Sequence, residues 1–101
     1  MSNTYRVQNP KTNEVVETFE TISDADLKRA LTTADEAFST WRETPLEERA
    51  QILRKVASLF DAQRDELSKI IAEEMGKSLR EGDNEVDDVV DIFGYLSLIH
   101  I

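Results

Sequence analysis

The sequence predicts a mostly α-helical fold that follows a short N-terminal β-hairpin. Three observations indicate this: two β-prone segments flank a turn-rich pentapeptide, apolar residues beyond it recur every three or four positions, and cap-like residues mark the helix starts. The 101 residues suffice for one domain or a piece of one. The predicted strands lie within about 5–21, and the predicted helices span about 23–41, 45–61, 64–75 and 79–95.

The composition excludes several classes of partner and site. A formal net charge of −9 would repel nucleic-acid phosphates, and the absence of cysteine excludes disulfides, thiolate metal sites and a cysteine nucleophile. The N-terminus lacks the basic flank and apolar run of a secretory signal, and no stretch approaches the roughly 20 apolar residues of a membrane helix. We therefore expect a cytoplasmic protein that binds neither nucleic acid nor membrane.

Residues 5–8 and 15–21 carry the strand signal. The first segment alternates apolar with polar side chains, and the second is rich in β-branched and aromatic residues. Between them, Pro10 presets its own φ and Asn13 tolerates the left-handed region, as a turn requires. A two-stranded hairpin is marginal alone, so we expect it to pack against another element.

The first helix begins at a well-marked cap. Ser23 is a good N-cap residue with Asp26 at N3, and Ile22 and Leu27 are spaced for a hydrophobic staple. An apolar stripe then continues to the predicted end near Trp41, which we expect to be a core residue. The stripe consists of Leu27, Ala30, Leu31, Ala34, Phe38 and Trp41.

The second helix has a start signal in which Thr44 is the N-cap, Pro45 the N1 residue and Glu47 the N3 residue. Its predicted buried face contains Ala50, Leu53, Val56, Ala57 and Phe60, widened by Ile52 and Leu59. The polar residues 61–65 either break this helix or form its solvent-exposed side, and the pattern leaves both open.

The last two helices meet at Gly76, which suits the left-handed position that ends a helix, with Lys77 near the negative end of its dipole. The apolar residues of the third helix are Leu67, Ile70, Ile71 and Met75. Ser78 and Glu81 form the capping signature of the fourth helix, where Gly82 costs roughly 1 kcal/mol against alanine. Its predicted buried face is Val86, Val89, Val90 and Phe93, and its acidic faces carry Asp83, Glu85, Asp87, Asp88 and Asp91.

Gly76-Lys77-Ser78 invites comparison with a phosphate-binding P-loop. That motif needs a further glycine five positions earlier, where Ile71 stands, and it needs a strand before the loop. A helix C-terminus followed by the next N-cap explains the same residues, so the P-loop is rejected.

The acidic run from Asp83 could suggest a calcium loop. An EF-hand starting there needs glycine at its sixth position and glutamate at its twelfth, and the chain has Asp88 and Gly94. These carboxylates lie within a helical apolar pattern, which favours a solvated helix face instead.

No set of residues indicates catalysis. His100 is the only histidine and has no cysteine or serine partner at a suggestive spacing, and none of the carboxylates lies in an apolar cluster. The residue pattern alone therefore predicts a mostly helical acidic domain without a visible active site.

Five segments, in order, resemble the aldehyde dehydrogenase family. They are Asn9-Pro10-Lys11-Thr12-Asn13-Glu14 (the family's NPxTGE turn), residues 34–41 (AxxAFxxW), residues 44–54 (TPxxERAxxLR), Glu74-Met75-Gly76-Lys77 (ExGK) and residues 85–95. Asn13 stands where the family usually has glycine, and both residues tolerate left-handed backbone. The Glu-Met-Gly-Lys form favours the succinate-semialdehyde branch.

The resemblance implies an N-terminal fragment of an α/β enzyme that oxidises an aldehyde to a carboxylic acid with NAD or NADP. The family's catalytic asparagine, cysteine and glutamate and its glycine-rich dinucleotide turn have no counterparts here, so no catalytic, cofactor-binding or metal residue is assigned. Some members hold a monovalent cation near the first strand, and Val7, Gln8 and Glu85 are the approximate counterparts; we do not assign them as a site.

The resemblance also sets expectations for partners. We expect the fragment to be inactive alone and to pack against the remainder of the parent enzyme, itself a homo-oligomer. Residues 96–101 depart from the family, and we interpret them as a non-native tail. Two alternatives stay open: a free-standing acidic helical module that binds a protein partner, or a truncated paralogue that regulates a full-length enzyme.

Overall fold

The structure is a computed structural model that describes residues 4–99, and it confirms a helical chain behind a two-stranded hairpin. The elements are β1 (Thr4–Gln8), β2 (Val15–Glu20), α1 (Asp24–Trp41), α2 (Leu46–Ala62), α3 (Arg64–Met75) and α4 (Leu79–Leu98). Helix α4 runs past its predicted end near residue 95 into the segment interpreted as a tail. The origin of that segment stays a prediction, and His100 and Ile101 lie outside the described residues.

The hairpin is antiparallel, with Tyr5 opposite Phe19 and an irregularity between Val7 and Gln8. Its turn forms as the residues predict. The Asn9 side-chain carbonyl accepts a hydrogen bond from the backbone N–H of Lys11 at 2.9 Å. Asn13 adopts a φ of 64°, which asparagine tolerates better than most residues.

Two of the three predicted N-caps are confirmed and one is wrong. Ser23 accepts from the backbone N–H of Asp26 at 3.1 Å, and Ser78 forms a complete capping box with Glu81. Helix α2, however, takes Pro45 itself as its N-cap residue, without a side-chain cap. The Thr44 hydroxyl instead donates to a backbone carbonyl of α1 at 3.3 Å, so it is engaged with the end of the preceding helix.

The break between the second and third helices is real. Gln63 separates α2 from α3 with φ −101° and ψ 15°, which settles the alternative left open by residues 61–65. Helix α3 ends at Gly76 in the left-handed region with φ 70°, as predicted, and not in a phosphate-binding loop. A β-carbon at Gly76 would lie 2.7 Å from Pro10 Cγ, so the hairpin turn packs tightly on this helix end.

The core is small and lies where α4 packs against α2 and α3. Val86 is 2% exposed, and Ala50 and Ala57 of α2 are also buried. Phe60 and Phe93 stack with ring centroids 5.7 Å apart, which joins α2 to α4 through the predicted faces of both helices.

Several residues predicted to be buried are exposed instead. Trp41 is 42% exposed, and no residue of α1 is buried. The other exceptions are Ile52 and Leu59 of α2, both exposed. The physical reason is that nothing among residues 4–99 covers these faces: α1 packs against no other helix or strand of the described chain.

Gly82 explains how closely α3 and α4 approach. A β-carbon at this position would lie 2.9 Å from the backbone carbonyl oxygen of Ser68 on α3. The propensity cost predicted for this glycine is therefore offset by a helix contact that no larger residue permits. At Gly94, on the same helix, a β-carbon would have no neighbouring atom within 4 Å.

These two glycines provide a matched test. Gly82→Ala should lower the temperature at which half of the far-UV circular dichroism signal is lost, because α3 and α4 must separate. Gly94→Ala should raise stability by about 0.5–1 kcal/mol, since alanine is the better helix former and meets open space. A Gly82→Ala variant whose melting temperature equals or exceeds that of the unsubstituted chain would contradict the close crossing.

Candidate functional site

The strongest polar cluster is built around Arg64 at the start of α3. Its guanidinium contacts Asp61 at 2.7 Å, Asp83 at 3.1 Å and Asp87 at 2.5 Å, and the side chain is 25% exposed. Hydrogen bonds to Asp61, Asp87 and Asp83 raise the pKa of Arg64 above its usual value, so it stays charged. The cluster therefore ties the α2 end and α4 to α3, and its role is structural.

The acidic faces of α4 are less solvated than predicted. Asp83 and Asp87 pair with Arg64, and Glu85 forms an ion pair with Lys77. The reason is geometric, because the i, i+4 spacing of Asp83 and Asp87 places both carboxylates on the side of α4 that faces α3.

Glu81 completes the cap of α4. The backbone N–H of Ser78 donates to its carboxylate at 2.9 Å, and this hydrogen bond is the main cause of a lowered pKa of Glu81. A lowered pKa stabilises the folded chain above the ordinary titration range of glutamate, and this stabilisation is lost as pH falls through the folded value.

The counterparts of the family's cation site do not come together. The hollow beside β1 is lined by Arg6, Val7, Gln8 and Glu74, whereas Glu85 lies on α4 with its carboxylate held by Lys77. Glu85 is therefore not among the lining residues of the hollow that Val7 and Gln8 share, and no cation site is assigned to them.

The residues do not fit a dinucleotide either. Gly76 ends a helix and Gly82 and Gly94 lie inside one, so none forms the glycine-rich turn between strand and helix that holds a pyrophosphate. Among residues 4–99 no group of three acidic or histidine side chains could hold a metal ion. In the same part of the chain, no helix is long and apolar enough to cross a membrane.

The notable surface is apolar and runs along the first helix into the second. We define the α1 surface by its exposed side chains, which are Leu27, Leu31, Phe38, Trp41 and Leu46. Trp41 also lines a hollow with Leu46, Arg49 and Leu53 of α2. Large exposed apolar patches mark interaction sites or aggregation-prone surfaces.

Sequence reasoning missed two arginines that the structure makes prominent. The i, i+3 spacing of Asp61 and Arg64 was a visible signal for the cluster, although the partners on α4 were not. Arg49 lies on the otherwise apolar side of α2 next to buried Ala50, and its Nε is buried without an acceptor among the described residues.

Comparison with known proteins gives one consistent result. Residues 1–98 match the aldehyde dehydrogenase family. The chain is 40% identical over 87 residues to the NADP⁺ succinate-semialdehyde dehydrogenase of Deinococcus radiodurans, covering 86% of this chain and 18% of that enzyme. It is 39% identical over 85 residues to the malonate-semialdehyde dehydrogenase of Bacillus pumilus, covering 84% of this chain and 18% of that one.

Solved structures agree with the sequence comparison. The betaine aldehyde dehydrogenase of Staphylococcus aureus in complex with NAD⁺ superposes with a TM-score of 0.86 at 29% identity, covering 94% of this chain and 19% of that one. The glyceraldehyde-3-phosphate dehydrogenase of Methanocaldococcus jannaschii complexed with NADP gives 0.83 at 28% identity, covering 89% and 20%. The chain thus spans less than a quarter of the length of these relatives.

The Arg64 cluster can be tested against an exposed ion pair. Arg64→Met should lower the temperature of half-loss of helical signal, because three converging carboxylates are left to repel each other. Arg42→Met is the control, since it removes the same charge from an exposed pair with Glu43. The difference between the variants should shrink at high salt. Equal effects of the two substitutions would refute a structural role for the cluster.

Proposed function

The chain belongs to the aldehyde dehydrogenase family, and from that premise we propose that it is the N-terminal part of an NAD(P)-dependent enzyme that oxidises an aldehyde to a carboxylic acid. The match over residues 1–98 supports the family, and the relatives' greater length supports a longer parent. We place the parent enzyme in the cytoplasm.

The proposed substrate is succinate semialdehyde. It is the substrate in the name of the Deinococcus radiodurans relative, and Glu74-Met75-Gly76-Lys77 has the form that favours this branch. Other relatives bear the names of malonate-semialdehyde and D-glyceraldehyde dehydrogenases, so an aldehyde with a polar or anionic end is the shared chemistry.

The proposed parent uses NAD or NADP, the cofactors bound in the solved relatives. The bound nicotinamide would accept the hydride from the substrate. Residues 4–99 form no glycine-rich turn between a strand and a helix, and the chain has no cysteine to act as the family's nucleophile. Both parts would come from the remainder of the parent enzyme.

The role of this segment is to pack beside the catalytic machinery. The observation that carries this proposal is the α1 surface, on an amphipathic helix of 18 residues of which none is buried. In the parent enzyme that surface would be covered by the remainder of the polypeptide or by another subunit of a homo-oligomer. The isolated chain is expected to be inactive.

A grafted enzyme tests this proposal. The purified chain should reduce neither NAD nor NADP with succinate semialdehyde. A chimera in which residues 1–95 replace the matching segment of the Deinococcus radiodurans enzyme should oxidise that substrate with NADP, with kcat/KM within about tenfold of the unaltered enzyme. Nicotinamide absorbance measures both.

Two results would contradict the proposal. One is activity of the isolated chain. The other is a chimera that folds and assembles like the unaltered enzyme but oxidises no semialdehyde.

A further inference from the structure

Arg49 occupies an unusual place in this chain. It lies on α2 between solvent and the core, and its side chain lines the hollow formed with Trp41, Leu46 and Leu53. The Nε atom is closed off from water and has no hydrogen-bond acceptor among residues 4–99. A charged donor is thus held against apolar walls without a partner.

Such an arrangement is costly for an isolated chain. Arginine is always charged, and a buried N–H without an acceptor loses its hydration without compensation. Carboxylates are abundant, with 21 acidic residues against 12 basic ones, yet none pairs with Arg49 in the described part. Arg54, on the same helix, pairs with Glu47 at 2.6 Å. Among residues 4–99, α2 therefore has an ion-pair partner for Arg54 but none for Arg49.

The walls of the hollow indicate what covers it. Trp41 is shared between the hollow and the α1 surface, so the two form one continuous apolar area. Leu96 and Ile99, which fall in the segment interpreted as non-native, also line the hollow. A covering segment must bring apolar side chains for Trp41 and Leu53 and an oxygen acceptor for the guanidinium.

We propose that Arg49 is the polar anchor through which this segment docks onto the remainder of its parent dehydrogenase. The covering segment presents a backbone carbonyl or carboxylate oxygen to the guanidinium, flanked by apolar side chains. This rests on the proposed function, because it requires the longer polypeptide indicated by relatives of which this chain covers only 18%. A second copy of the chain fits less well, since its net charge of −9 opposes self-association.

The test measures how one substitution changes thermal stability in the isolated chain and in the grafted enzyme. The two changes should have opposite signs. In the isolated chain, Arg49→Met removes a donor without an acceptor and keeps the apolar stem, so half-loss of helical signal should shift upward by about 2–4 °C. In the grafted enzyme the same substitution should lower the thermal midpoint by at least about 3 °C, because the covering segment's oxygen loses its donor.

Two further variants make the result specific. Arg54→Met, which breaks an exposed pair on the same helix, should change the grafted enzyme's midpoint by less than about 1 °C. Arg49→Lys keeps the charge but not the planar donor edge. The thermal midpoint of the grafted enzyme with this substitution should lie between those of the unsubstituted graft and the Arg49→Met graft.

The proposal is overturned if Arg49→Met destabilises both settings alike, since the arginine would then serve the chain's own fold. It is equally overturned if neither setting responds, or if the isolated chain forms an Arg49-dependent dimer in sedimentation. A failure of the proposed function can be told apart from these outcomes, because it is measured as enzyme activity and not as thermal stability. A grafted enzyme without activity can still show the reversal of sign, and an active one can lack it.

Discussion

The close crossing of α3 and α4 at Gly82 is the constraint on which the rest of this structure depends. A glycine there brings the Ser68 backbone within a distance that no β-carbon permits. That approach places Val86, one turn along α4, at the centre of the core, and it brings two α4 carboxylates within reach of Arg64. With Phe60 stacked on Phe93 from the other side, α4 becomes the helix that joins α2 to α3.

The remainder of the chain has no comparable constraint. Helix α1 is well capped and amphipathic, yet none of its residues is buried, although Trp41 lines a hollow with α2; the hairpin is held mainly where its turn packs on Gly76. A helix stabilised only by its own capping and propensity is marginal in water. The chain thus combines a small core at the crossing of α2, α3 and α4 with elements whose apolar faces are exposed.

The helix and strand boundaries were predicted well because caps and turns depend on residues that are close together in the sequence. The Ser23 cap, the turn at Asn13 and the left-handed Gly76 are each determined within a few positions of the chain. The start of α2 was misplaced because the Thr44 hydroxyl had a competing acceptor in α1. Burial was predicted least well: the spacing of Trp41 indicates which face of the helix is apolar, but not whether any residue of the described chain covers that face.

The candidate site shows the same division. Two of the three ion pairs of Arg64 join it to α4 residues about twenty positions away, and the isolation of Arg49 is a property of packing, so neither could be derived from spacing alone. The absence of cysteine and of a glycine-rich turn, by contrast, was decisive at the sequence level, because chemistry cannot be recovered by folding if its residue types are missing. The proposed function is therefore inferred from family membership and from the exposed α1 surface.

Amide hydrogen exchange on the intact 101-residue chain measures local stability element by element and so compares α1 with the helices of the core. We expect amides at the centres of α2 and α4 to be the most strongly protected and those of α1 to exchange at least about tenfold faster. Protection of α1 equal to that of α4 would contradict this expectation, since the first helix would then be stable without the polypeptide proposed to cover it.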